Sequence, residues 1–365
     1  MKVAIVHDWF VGGGAERVVE QLHQIYPKAP IYTSYCSAEW RERLGDAEII
    51  TSYMQYWPFS KLRKFLPPLR AWWFSHLDLS GYDLVISSSG AEAKAVKVAA
   101  PAIHINYCHA PTHYYWSRYE EYMTSPGFGR FDWLARIGLK LLLGPMRRWD
   151  YKASQRPSYM IANSNYTKEQ IKKYYGRDSV VIHPPVDVER FAGQSDEPRR
   201  GFLAAGRQTP YKRIDLAVKA CTELGVPLVV IGNGPDNKKL QRMAGKSVTF
   251  LSGKTDEEVV HYFQTSSAFL FPGLDDFGIT PIEAMAAGTP VIAYMAGGAL
   301  DYIEPGKTGE FFSEQTVDSL TSALKKFKPE NYNQSQIQNA AAQFSAKNFQ
   351  TLFNKYTQKV LKLPE

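Results

Sequence analysis

Short apolar runs rich in Val, Ile and Leu alternate with helix-length amphipathic stretches along almost the whole chain, and that alternation leaves few folds open. Strands separated each time by a helical stretch pair in parallel through crossover helices rather than as hairpins. In the first half, strands are expected at 3–7, 30–34, 84–88, 102–107 and 159–163; in the second, at 201–205, 227–232, 248–251, 268–271 and 290–293. Each half reads as one Rossmann-like unit, so the expected class is α/β with two such domains, at 1–190 and 191–344. His183-Pro184-Pro185-Val186-Asp187 and the polar stretch 194–200 form the expected linker. A last helix near 345–361, within a terminal segment 345–365, places Phe349, Leu352, Phe353, Tyr356 and Val360 on one face.

A chain of 365 residues with 44% hydrophobic and 22% charged content is long enough for two full cores. Lys and Arg number 43 against 36 Asp and Glu, for a net charge of +7. That balance favours anionic partners, among them nucleotide sugars, anionic membrane surfaces and nucleic acids, without choosing between them. Cys36, Cys108 and Cys221 are scattered, odd in number and without metal spacing, which points to the reducing cytosol. The chain enters its first strand at Val3, so no secretory signal is expected, and no apolar run reaches spanning length without charges.

The segment 271–292 sets Asp275 and Glu283 around a glycine turn at a helix start. Asp276-Phe277-Gly278 turns the chain, Pro281 suits the first helical turn, and Gly288 ends the helix. Unpartnered N–H groups at such a start attract phosphate or sugar hydroxyls, and carboxylates accept hydrogen bonds from polyols. The bland alternative is a strand-turn-helix with a solvated acidic cap. Gly12-Gly13-Gly14 follows the first strand and reads either as a phosphate-cradling loop or as a tight turn. A dinucleotide fingerprint is disfavoured, because Arg17 and Val19 stand where it needs glycine and Tyr32-Thr33-Ser34 lacks the ribose-binding acid. His109 follows a strand, where ligands of parallel sheets bind, whereas His113 reads as structural. Cys108 and His109 point to opposite faces and form no nucleophilic pair. In Gly206-Arg207-Gln208-Thr209-Pro210-Tyr211-Lys212-Arg213-Ile214-Asp215, Arg207 offers a planar fork for phosphate and Lys212 a point charge; a solvated charge run is the alternative. Ile231-Gly232-Asn233-Gly234-Pro235 adds a glycine turn.

The spacing of Asp275 and Glu283 resembles the Glu-seven-residues-Glu signature of retaining glycosyltransferases of family 4. The GR-x-x-PYKR-x-D stretch is similar to that family's Arg-to-Lys phosphate clamp, and the likeness extends through Ala162-Asn163-Ser164 and Pro184-Pro185-Val186-Asp187. Its details look closest to bacterial mannosyltransferases that build cell-surface polysaccharides. The resemblance implies the glycosyltransferase B fold, with the two domains facing across a cleft and the terminal helix packing back on the first. It implies transfer of a hexose, mannose from GDP-mannose, to a saccharide or lipid-linked saccharide, without a metal or other cofactor and without a nucleic-acid partner. Arg207 and Lys212 would hold the diphosphate that Gly12 and Gly13 face, Glu283 the ribose, and Asp275 the sugar hydroxyls with the N–H groups near Phe277 and Gly278. Ile279 would also line the donor, and His109 would orient the transferred sugar. Asp275 departs from the family's glutamate by one methylene, which leaves Asp276 as a residue able to share its role. Two alternatives stay open: a non-catalytic nucleotide-sugar-binding protein, and a sugar-nucleotide epimerase on the same architecture.

Two segments, 56–74 and 128–149, combine bulky apolar residues with cations. They read either as packing on the domain core or as interfacial helices at an anionic membrane, which would place the protein in the cytoplasm at the inner face of the cell membrane.

Overall fold

The structure is a computed structural model that describes residues 1–124, 126, 129–193 and 195–362, apart from the side chains of Lys64 and Arg130. Gln194 of the expected linker, Phe128 of the second amphipathic segment and 363–365 of the expected terminal segment lie outside the described residues. The chain divides into two compact units, 1–185 with 349–365, and 186–348.

The first unit is built on a seven-stranded sheet: β1 (Val3–His7), β2 (Ile31–Thr33), β3 (Ile49–Thr51), β4 (Leu84–Ser89), β5 (Ile103–Cys108), β6 (Tyr159–Ala162) and β7 (Val180–Val181), in the order β3-β2-β1-β4-β5-β6-β7. The second unit has β8 (Phe202–Ala205), β9 (Leu228–Ile231), β10 (Val248–Leu251), β11 (Ala268–Phe271), β12 (Val291–Tyr294) and β13 (Gly309–Phe312), in the order β10-β9-β8-β11-β12-β13. All neighbouring strands pair in parallel. The strand order reverses between β1 and β4 and again between β8 and β11, and ligands of open parallel sheets bind beyond the strand ends at such switch points.

Alternation along the strands feeds a core on each face of a sheet. Ile5, Ile86 and Ile105 of the first unit meet Val18 and Leu22 of helix Ala15–Ile25 and Phe353 of helix Ala346–Leu361. Their neighbours Ala4, Val6 and Val85 point the other way, onto Phe74 and Ala153. The terminal helix presents Phe349, Phe353, Thr357 and Val360 to its unit, an i, i+4, i+8, i+11 stripe. Leu352, expected on that face, is 41% exposed, because it lies off the stripe that Thr357 completes.

Three strands were not expected from the sequence: β3, β7 and β13. Each lies at the edge of its sheet. An edge strand has one neighbour and needs less apolar surface, so Val180–Val181 and the half-buried Ile49–Thr51 carry too weak a signal to stand out.

His104 on β5 is fully buried, with its Nε2 2.8 Å from Ser87 Oγ. Burial, reinforced by Arg156 and Arg177, pushes its pKa down to about 3. Above the ordinary histidine value of about 6.5 the residue is neutral folded or unfolded. Between there and about 3 only the unfolded chain takes up the proton, so stability falls as pH falls through that window. Urea unfolding at neutral pH and about 1.5 pH units below the ordinary histidine value should show the chain losing about 2 kcal/mol more than a His104→Asn variant.

Candidate functional site

In the second unit, the loops leaving β8 and β11 meet at the switch point. After β8 the chain makes a short 3-10 turn, Pro210–Lys212, passes through Arg213 at φ 49°, and starts helix Ile214–Leu224. After β11, residues 272–278 lead into helix Ile279–Ala286. Gly273 makes the approach possible, since a Cβ there would come within 2.9 Å of the Lys212 Cα. The Lys212 ammonium pairs with the Asp275 carboxylate and lies over the rings of Tyr211 and Phe271, at 5.5 and 5.6 Å. Both members of the pair keep some exposure, 22% for Lys212 and 13% for Asp275.

The turn that follows is held from behind. Gly298 N–H donates to the Asp275 carbonyl at 2.9 Å, and the buried Tyr302 hydroxyl donates to the Phe277 carbonyl at 3.1 Å. Gly278, at φ 92°, occupies the N-cap of helix Ile279–Ala286, where a Cβ would strike the Tyr302 hydroxyl at 2.7 Å. Glu283 is half-buried one turn along the same helix. Arg207 stands exposed at the start of the β8 loop. Next to it the buried Gln208 donates to the Gly232 carbonyl at 3.0 Å and accepts from Asn237 at 2.8 Å, fixing the loop against the glycine turn after β9. The structure therefore brings Lys212, Asp275, Phe277, Gly278 and Ile279 together, with Arg207 and Glu283 on the same two loop-helix elements. Two cations, a carboxylate and a helix start suit an anion joined to a polyol.

The first unit also closes its switch point with a charged side chain. Asp8, just past β1, accepts N–H bonds from Gly90 and Ala93 at 2.7 Å and from Ala91 at 2.9 Å, tying β1 to the loop after β4. His109, just past β5, has its Nε2 2.7 Å from Ser88 Oγ, its N–H on the Ser89 carbonyl, and its carbonyl accepting from Asn163 at 2.9 Å. His113 stays local, with its Nδ1 2.9 Å from Ser117 Oγ. Gly12 adopts φ 104°, but the N–H groups of Val11 and Gly12 turn onto the buried Glu16 carboxylate, at 3.2 and 3.0 Å. Of the two glycines expected to face a diphosphate, Gly12 thus has its amide on an anion of the chain itself.

A second network fixes the stretch after His109. Lys94 and Asp150 are 1% and 0% exposed and pair at 2.7 Å. Asp150 also accepts from Thr112 Oγ1, Trp116 Nε1 and the Tyr175 hydroxyl, at 2.8, 2.7 and 2.8 Å. Asp8, Glu16, Lys94 and Asp150 belong to none of the motifs singled out in the sequence. Only Asp8 and Glu16, set against a strand end and a glycine turn, carried a signal that could have found them.

A model of the Glycosyltransferase Family 4 domain matches residues 12–190, and one of Glycosyl transferases group 1 matches residues 185–344. A GDP-mannose-dependent alpha-(1-6)-phosphatidylinositol monomannoside mannosyltransferase of Mycolicibacterium smegmatis is 32% identical over 192 residues, 44% of this chain and 50% of that protein. A D-inositol 3-phosphate glycosyltransferase of Mycobacterium sp. (strain KMS) is 27% identical over 195 residues, 45% of this chain and 44% of that protein. The matched region spans about half the length of these relatives or less. Among solved structures, Anabaena HepE in complex with UDP superposes with TM-score 0.72 at 16% identity, covering 98% of this chain and 100% of that one. Sucrose-phosphate synthase of Thermosynechococcus elongatus gives 0.71 at 15% identity, covering 99% of each chain. At these identities the likeness concerns the fold.

Replacing Lys94 with Met should cost about 3–5 kcal/mol in urea unfolding, because it leaves the Asp150 charge buried without its cation.

Proposed function

We propose that this chain, which belongs to the family 4 glycosyltransferases and has their two-domain B fold, transfers a hexose from a nucleoside diphosphate sugar to a saccharide or lipid-linked saccharide with retention of anomeric configuration. The observation that carries the reading is the Lys212–Asp275 pair at the β8/β11 switch point, flanked by Arg207 and the start of the Glu283 helix. GDP-mannose is the proposed donor, supported by the donor named for the Mycolicibacterium smegmatis relative, and cell-surface polysaccharide the proposed product class. The acceptor would be met at the inner face of the cell membrane.

In this reaction the bond from the sugar C1 to the diphosphate oxygen breaks and a bond from the acceptor oxygen forms on the same face. The acceptor's proton passes to the departing phosphate. Charge separates as the diphosphate leaves, so fixed charges aimed at it dominate catalysis. Arg207 and Lys212 take the leaving diphosphate, Glu283 the nucleotide ribose, and Asp275 the sugar hydroxyls together with the N–H groups at Phe277, Gly278 and Ile279. An incoming diphosphate draws Lys212 away from Asp275, which turns the carboxylate over to the sugar as the donor seats. His109 orients the transferred sugar. Gly12 reaches the diphosphate only if Glu16 yields its amide, with Gly13 beside it. The two cations stand in for a divalent metal. An epimerase would return an isomerised donor and a binding protein an unchanged one, so mass analysis of the products separates these readings.

With GDP-mannose and a saccharide acceptor, chelator should leave turnover unchanged while Arg207→Ala lowers it about a hundredfold or more. Loss of activity in EDTA with recovery in magnesium would overturn the clamp assignment.

Asp275→Asn should abolish transfer while binding of the nucleoside diphosphate, followed by thermal shift, persists or tightens as Lys212 is released. Asp275→Glu should stay active. Wild-type turnover in Asp275→Asn would move the role to Asp276.

A further inference from the structure

We infer that the first unit carries a docking face for an anionic lipid bilayer, made by residues 56–72 and the exposed side of helix Asp132–Ser154. The inference deepens the proposed reaction by naming the surface that brings the enzyme to a lipid-linked acceptor, and for the acceptor it rests on that reading.

Phe74, Trp73 and Trp149 pack on the core, but many of the other bulky side chains do not. Trp57 is 77% exposed, Trp72 56%, Trp133 59% and Leu141 73%. Helix Asp132–Ser154 buries Met146, Asp150 and Ala153 against its unit. Trp133, Ile137 and Leu141, at i, i+4, i+8, lie with Leu134 on the opposite side and face solvent. That is the reverse of a soluble helix, whose outer face is polar. The two segments belong to one surface: Ala71, beside Trp72, packs with Tyr115 and Met146 in a single small cluster joined by Leu143. Large apolar patches rimmed by polar residues mark interaction sites, and exposed Trp with cations suits a lipid headgroup layer.

Charge chooses the occupant. No acidic residue lies between Glu48 and Asp78, and Asp132 is the single one from 122 to 149. Lys61, Arg136, Lys140 and Arg148 are exposed among the apolar residues. A second copy meeting this face through a two-fold axis would set these cations against one another. An anionic bilayer meets them with opposite charge and takes the Trp and Leu side chains into its headgroup boundary. No helix among the described residues is long and apolar enough to cross a membrane, so attachment would be peripheral.

The test uses the full chain with vesicles of phosphatidylcholine alone or of phosphatidylcholine mixed with phosphatidylglycerol. Co-sedimentation should favour the anionic vesicles and weaken as salt rises. Lys140→Glu with Arg148→Glu should weaken it by about tenfold or more, and Trp133→Ser with Leu141→Ser should remove it, with melting temperature unchanged in both variants. Equal pelleting on neutral and anionic vesicles, wild-type pelleting by either variant, or a dimer in sedimentation velocity that Trp133→Ser with Leu141→Ser dissolves would overturn the inference. Transfer of mannose to a soluble acceptor should survive both variants. Its absence in the wild-type chain alongside intact vesicle binding would instead count against the proposed reaction.

Discussion

Parallel pairing decides where chemistry can sit in this protein. When every strand runs the same way, each crossover must return over a face, so both faces are covered and all strand ends gather at one edge. Where the crossovers diverge, between β1 and β4 and between β8 and β11, the covering parts and backbone N–H groups are left to be satisfied locally. Each unit sets charged side chains at that point. In the first unit, Asp8 takes the N–H groups of Gly90, Ala91 and Ala93. In the second, the Lys212–Asp275 ion pair lies at that place.

The difference between those closures separates scaffold from site. Asp150 is held by Lys94, Thr112, Trp116 and Tyr175 with no exposure, so every bond it can make is already made within the fold. Lys212 and Asp275 also form a Lys–Asp pair, yet both are reachable from solvent and the helix start of Ile279–Ala286 lies beside them. A buried pair with complete partners resists exchange, while a partly exposed pair can trade its partner for a ligand of like charge.

The interior of each sheet was legible from sequence, since central strands such as Val3–His7 and Ala268–Phe271 are buried on both faces and read as unbroken apolar runs. The edges were not, because Val180–Val181 and Gly309–Phe312 need one neighbour and carry few apolar residues. The loop carrying Asp275 to Gly278 was legible because its turn and cap chemistry are local. The hold on it from Gly298 and Tyr302, more than twenty residues further on, is set by tertiary packing and left no local trace. Lys94 shows the same limit: within Ala93-Lys94-Ala95 it looks like a surface lysine, and only the fold brings Asp150 to it. Glu16 follows the glycine loop as an ordinary acidic residue of a first helical turn, and only the fold shows its carboxylate turning back to fill that loop.

The terminal helix carries a consequence for how the protein is made. Phe349, Phe353 and Val360 belong to the same core as Ile5, although more than three hundred residues separate them in the chain. Domains of a growing chain generally fold in the order in which they leave the ribosome. Here the first unit must wait, with part of its apolar surface uncovered, until its last helix has been synthesised. The second unit, 186–348, is uninterrupted in sequence and can complete its core beforehand. The N-terminal unit is thus the one most exposed to misassociation during synthesis, and the stretch of chain that protects it arrives only after the whole of the second unit.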